Sequence, residues 1–205
     1  MNLIFSRTLK ALCSLTAVAM LSACGGASST VDPFVATRVI AFGDGFNYVD
    51  GAGAGLSTVQ TGETDNTIAG RIAARYGVVV KNVQTNALAA TGGFSYATAN
   101  AKVSDVVAQI DAFLTSANGA VAKKDLIIVA VGNWDIKANA EGNATESIDV
   151  ATTNLVTAIQ RLTVAGAEHV VVMPAINMAR TPWAMTSPNS KSLADIQQLS
   201  ITTST

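Results

Sequence analysis

Short apolar runs alternate with amphipathic stretches along this chain. Residues 38–42 (RVIAF) form a β-branched and aromatic run, expected to be a buried first strand. The run ends at Gly43-Asp44-Gly45, and a glycine-rich loop continues to about Gly62. Residues 64–76 place Ile68, Ile72 and Ala73 on one helical face, with Gly77 as the stop. Residues 78–83 predict a second strand, and 84–101 a long loop of small residues. Val103, Val106, Val107, Ile110 and Leu114 recur at helical spacing over 103–114, and 125–131 (DLIIVAV) carry the strongest strand signal. Residues 148–164 predict a long helix with Leu155, Ile159 and Leu162 on its apolar side. Gly166 closes that helix, and 169–173 (HVVVM) predict the fourth strand. Beyond Pro174 the pattern fades: 181–190 read as loop, 193–199 as a short helix, and no fifth strand–helix unit follows. Continuous apolar strands separated by helices predict an α/β fold, with a parallel sheet covered on both faces.

The first residues carry a different pattern. Arg7 and Lys10 precede a small-residue apolar run over 11–22 (ALCSLTAVAMLS), followed by Ala23 and Cys24. A positive start, a short apolar centre and small residues before a cleavage point make residues 1–23 a signal peptide. The run is too short to span a bilayer, which takes about 20 residues. Leu21-Ser22-Ala23-Cys24 resembles the lipobox of bacterial lipoproteins, in which the cysteine becomes an acylated N-terminus. Several acyl chains on Cys24 would anchor the chain stably, since each buried CH₂ contributes about 0.8 kcal/mol. Residues 24–37 then read as a lipidated tether and 38–205 as the domain. Gly25, rather than an aspartate after the cysteine, favours the outer membrane by resemblance to enterobacterial sorting. Processing would remove Cys13 and consume the Cys24 thiol, leaving no disulfide.

Composition narrows the function classes. Of 205 residues, 13% are charged, and Lys and Arg (13) are matched by Asp and Glu (14), so no basic excess exists to grip nucleic acid. Aromatics are only 5%, too few for a stacking platform on single strands. Two cysteines and one histidine cannot supply a structural zinc site, and no cofactor is expected.

In an open parallel sheet the chemistry sits beyond the carboxyl ends of the strands. The loops there contain Gly43-Asp44-Gly45-Phe46-Asn47, residues 92–97 (GGFSYA), Gly132-Asn133-Trp134-Asp135, and Pro174. Four segments in register carry a resemblance. They are IAFGDGFNYVDG (40–51), GGFSYATANAKV (92–103), IIVAVGNWDI (127–136) and GAEHVVVMPAIN (166–177). Their order resembles that of GDSL (SGNH) esterases and lipases over about residues 38–190. The resemblance implies a three-layer α/β/α domain with a parallel, flavodoxin-like sheet, here with the last strand–helix unit missing. It also implies acyl-ester hydrolysis by a serine, oxyanion donors and an Asp-x-x-His pair.

The match departs from that pattern at each chemical position. The nucleophilic serine of Gly-Asp-Ser is replaced by Gly45 after Asp44, and glycine has no oxygen to attack a carbonyl. The backbone oxyanion donor falls on Ala99 or Asn100. The side-chain donor of Gly-x-Asn-Asp falls on Trp134, with Asn133 beside it and Asp135 completing the motif. No Asp-x-x-His occurs in these residues. His169 begins the fourth strand, some 15 Å from its carboxyl end at about 3.3 Å per residue, which makes it a structural residue. Ser57 and Ser95 lie in suitable loops without an identifiable base. Asp44, Asp50 and Asp65 read as surface carboxylates, and Gly51, Gly53 and Gly55 as a flexible loop rather than a dinucleotide site. Trp134 and Trp183 either line a pocket or simply pack. Three functions remain in view: an envelope lipoprotein with impaired hydrolysis, an active esterase acting on acyl esters, and a lipoprotein that binds an acyl-ester or glycan ligand in the vestigial pocket. The partners expected are the membrane, through Cys24, and such a ligand.

Overall fold

The computed structural model describes residues 32–51, 55, 67–186 and 191–204, the last four of these by backbone alone. The segment 1–23 expected to be a signal peptide, Cys24, Gly53, Ser57 and Asp65 lie outside the described residues. The strands are β1 (Arg38–Gly43), β2 (Val80–Asn82), β3 (Gly92–Ser95), β4 (Asp125–Ala130) and β5 (His169–Met173). They form one parallel sheet in the order β2-β3-β1-β4-β5. The helices are α1 (Ile68–Ala74), α2 (Val103–Ser116), α3 (Asn133–Glu141), α4 (Ile148–Val164), α5 (Pro182–Thr186) and α6 (Leu193–Ser204), with a 3₁₀ turn at Met178–Arg180.

All six residues of β1 are buried, and their alternation creates the layers. Ile40 and Phe42 face a core shared with Val106, Ile110 and Phe113 of α2 and with Ala158 and Leu162 of α4. Val39 and Ala41 face the opposite core, with Ala69 and Ala73 of α1 and Leu126 and Ile128 of β4. A third cluster joins Ile136 and Ala140 of α3 to Met178, Ala184 and Ile196. The α/β class and the parallel sheet are as the apolar pattern implied, but the cover is incomplete at β5, where Val171 and Val172 are exposed.

Three expectations change. The sheet has five strands, not four, because β3 lies inside the expected loop 84–101. Its signal is weak because it opens on two glycines. A Cβ on Gly93 would come within 2.8 Å of the backbone of Val79 and Val80, so glycine lets β2 and β3 approach. Without β3 the order would read 2-1-3-4, as in a flavodoxin-like sheet; β3 is wedged between β2 and β1. The second strand is shorter than expected, and Val79 is exposed. The loop after β4 is the helix α3, too polar to show an apolar stripe and bracketed by left-handed Gly132 and Gly142.

The amino edge of the sheet is tied by charge and by ring packing. Arg38 of β1 donates to both carboxylate oxygens of Asp125 in β4, at 2.8 and 2.5 Å, and both residues are buried. His169 pairs in register with Leu126 at this same edge, and its ring lies 3.8 Å from that of Phe34. Phe34–Thr205 form one compact unit, and Ala36 is buried, so packed chain begins before β1.

Candidate active site

The chain leaves β1 through a turn that only glycine can start. Gly43 has φ +124°, and a Cβ there would sit 1.8 Å from the carbonyl oxygen of Ala130. That oxygen instead accepts the Asp44 N–H at 3.0 Å, which pins the turn to β4. Gln109 of α2 holds Gly43 from the other side: its Oε1 accepts the Gly43 N–H at 2.7 Å, and its Nε2 donates to the Gly43 carbonyl at 3.1 Å. The Asp44 carbonyl then accepts from Asn47 and Tyr48 N–H, closing a tight loop. Asn47 locks it, donating to the Phe42 carbonyl at 2.8 Å and accepting the Ala69 N–H at the start of α1.

β1 is flanked by β3 and β4, so the chain reverses direction across the sheet here, and a crevice opens beyond the strand ends. A cavity of about 460 Å³ occupies it. Asp44, Gly45, Ala99, Asn100, Asn133 and Trp134 all line this cavity. Six of the seven motif residues are therefore brought together from the ends of β1, β3 and β4. The seventh, Asp135, turns away. It is buried, and both its carboxylate oxygens accept the Val103 N–H at 3.2 Å, at the start of α2. Burial pushes its pKa up to about 6, against the hydrogen bond from Val103.

Asp44 is not the surface carboxylate expected; it is 2% exposed. Burial raises its pKa, opposed by the hydrogen bonds from the Phe46 N–H and from Asn133. The Asn133 Nδ2 donates to Asp44 at 3.2 Å, and the Asn133 Oδ1 accepts the Ile176 N–H at 3.1 Å. One amide thus ties the loops after β1, β4 and β5 together, and both its ends are engaged. Ser95 is also corrected. It ends β3 rather than lying in a loop, is buried, and donates its hydroxyl to the Asn47 carbonyl at 2.6 Å.

The outer wall was not legible as a site. Phe46, Lys137, Ile176, Met178, Thr181, Pro182 and Trp183 complete the cavity. Trp183 answers the open question about the two tryptophans: both line the pocket. Lys137 has no motif signal and comes into reach because α3 is a helix. A second groove, of about 750 Å³, runs between the Val83–Leu88 segment and α2, with Gln109 in its lining. Among the described residues no group of three or more His, Cys, Asp or Glu could hold a metal ion. No helix among the described residues is long and apolar enough to cross a membrane.

An open parallel sheet with a crevice at its switch point, lined by loops from successive strand ends, defines a doubly wound α/β protein. The family model for GDSL-like lipases and acylhydrolases matches residues 39–200, and the chain belongs to that family. No curated protein sequence matches it. Among solved structures it is similar to a member of the lipolytic G-D-S-L family from Veillonella parvula DSM 2008, with 16% identity and a TM-score of 0.42. That match covers 78% of this chain and 68% of that one. A protein from Bacillus subtilis matches with 14% identity and a TM-score of 0.43, covering 83% of this chain and 42% of that one.

Proposed function

We propose that this protein is an envelope lipoprotein, anchored through Cys24, whose GDSL-type domain has lost serine-dependent ester hydrolysis and retains its pocket for an acyl-ester or glycan ligand. One observation carries the loss of chemistry: Gly45 stands in the cavity wall between Asp44 and Phe46, where the family keeps its nucleophile. Covalent acyl transfer needs a side-chain nucleophile with a base in reach. The single histidine, His169, packs on Phe34 at the opposite edge of the sheet. The oxyanion site is weakened as well. Trp134 has no side-chain amide to offer, and one of the two Nδ2 N–H donors of Asn133 is already engaged with Asp44. Loss of one such donor costs about 10²–10³ in rate. Ala99 and Asn100, where the resemblance puts the backbone oxyanion donor, line the cavity.

Hydrolysis of p-nitrophenyl acetate and butyrate tests the reading. The expected rate equals that of the heat-inactivated protein. Turnover well above that control would overturn it, and its loss in Ser57→Ala or Ser95→Ala would assign the nucleophile to that serine. The anchor is tested by labelling cells with palmitate. Cys24→Ser should abolish incorporation and release the protein from the membrane fraction, with the parent expected in the outer membrane because Gly25 follows the cysteine.

A further inference from the structure

Both tryptophans of this chain, Trp134 and Trp183, line the same cavity. Lys137 lies between them, its Nζ 5.5 Å from the Trp134 ring and 5.6 Å from the Trp183 ring. Glu141, one turn further along α3, accepts from Nζ at 2.7 and 2.9 Å. The same carboxylate accepts the Trp183 Nε1–H at 3.1 Å, so the four side chains form one cluster joining α3 to α5. These contacts hold the Glu141 pKa below its ordinary value, the Lys137 hydrogen bond being the largest cause.

The cluster has unused capacity. An ammonium carries three N–H donors, and Glu141 takes at most two. Lys137 itself lines the cavity, where the remaining donor can meet a ligand oxygen. It is the only cation among the described residues of that lining. Its side chain is 28% exposed and flanked by indoles, so a charge-assisted hydrogen bond there is less screened than on open surface. Around it Phe46, Ile176, Met178 and Pro182 offer apolar contact. A few placed polar groups in an apolar wall suit a ligand with one polar end.

We propose that the Trp134–Lys137–Trp183 cluster recognises the carboxylate of an apolar organic acid, with an anionic oxygen on Lys137 Nζ and the hydrocarbon body against the two indoles. The inference rests on reading the cavity as a ligand site and names the chemistry of the ligand. Asp44 lies at the other end of the polar lining, its carboxylate oxygens accepting from the Phe46 N–H and from Asn133 Nδ2. Glu141 competes with the ligand for the same ammonium. Glu141→Gln would release that charge while its amide oxygen still accepts the Trp183 N–H.

The test is a fluorescence titration of the full chain with hexanoate and with hexanamide, which share a body and differ in charge. Both tryptophans report on the pocket, and Trp134→Phe and Trp183→Phe assign the signal. Hexanoate should bind about tenfold more tightly than hexanamide at low salt. Lys137→Met should erase that preference while hexanamide still binds, which shows the pocket intact. Glu141→Gln should widen the preference several-fold. Equal binding of acid and amide by the parent, or a preference that survives Lys137→Met, overturns the role of Lys137 and leaves the ligand site standing. No response to either probe overturns both this assignment and the reading of the cavity as a site for apolar ligands.

Discussion

Two glycines bracket Asp44, and the fold treats them differently. Gly45 stands where the GDSL motif carries its serine, yet its φ is not in the left-handed range. Gly43 carries the geometric demand. A Cβ at Gly43 would lie 1.8 Å from the Ala130 oxygen and 2.7 Å from the Ala130 carbonyl carbon, both backbone atoms in the centre of the sheet. Relief requires parting β1 from β4, which breaks the Asp44 N–H to Ala130 bond and disturbs the Gln109 clamp. A strained backbone at positive φ costs on the order of 1–3 kcal/mol. Overpacking a rigid site adds roughly 1–3 kcal/mol. Gly43→Ala should therefore destabilise by about 3–5 kcal/mol, a large share of the ~5–15 kcal/mol typical of a domain. Gly45→Ala should cost under about 1 kcal/mol, in the range of ordinary substitutions. Urea unfolding followed by tryptophan fluorescence and far-UV circular dichroism measures both. A Gly43→Ala midpoint shift worth less than about 1 kcal/mol at unchanged slope would refute the steric argument. So would two glycines that behave alike.

Two further outcomes follow from the buried charges. Asp125→Ala should cost about 3–5 kcal/mol in the same unfolding experiment, because it leaves the Arg38 guanidinium buried without its carboxylate; a loss below about 1 kcal/mol would contradict this. Asp135 has its folded pKa raised from 3.8 to about 6, so between those values the native state binds more protons than the unfolded chain. Its contribution to stability therefore falls as pH rises from about 4 to 6, by an amount on the order of 3 kcal/mol or less. Asp44 adds in the same direction. Asp135→Asn should flatten that part of the stability–pH curve, and unchanged curvature in denaturation between pH 4 and 7 would count against the assignment.

Much of the framework was legible because it depends on local apolar runs. β1, β4 and β5 are continuous apolar strands, and α2 and α4 have clear 3.6-residue stripes. Their period and order imply the layered parallel sheet directly. β3 was illegible because Gly92 and Gly93 have no side chains to register. It is a strand because β1 and β2 offer it ladder partners on both sides, Gly92 meeting Arg38 and Gly93 meeting Val80. α3 was illegible because its residues are polar and its ends are set by two left-handed glycines.

The same division runs through the site. Sequence alone places Asp44, Gly45, Ala99, Asn100, Asn133 and Trp134 at strand ends, since motif spacing and a parallel sheet put those loops on one edge. It also shows that Gly45 has no nucleophilic atom. Only the tertiary structure separates Asp135 from that group, because a side chain's direction depends on the helix that carries it. Only the fold sets Trp183 against Lys137 and Glu141, more than forty residues away along the chain. And only the packing of β1 on β4 makes Gly43, which carries no functional atom, the stricter requirement of the turn. Local periodicity determines elements and their order; the meeting of distant side chains, and the clash a single Cβ would cause, exist only once the sheet has closed around them.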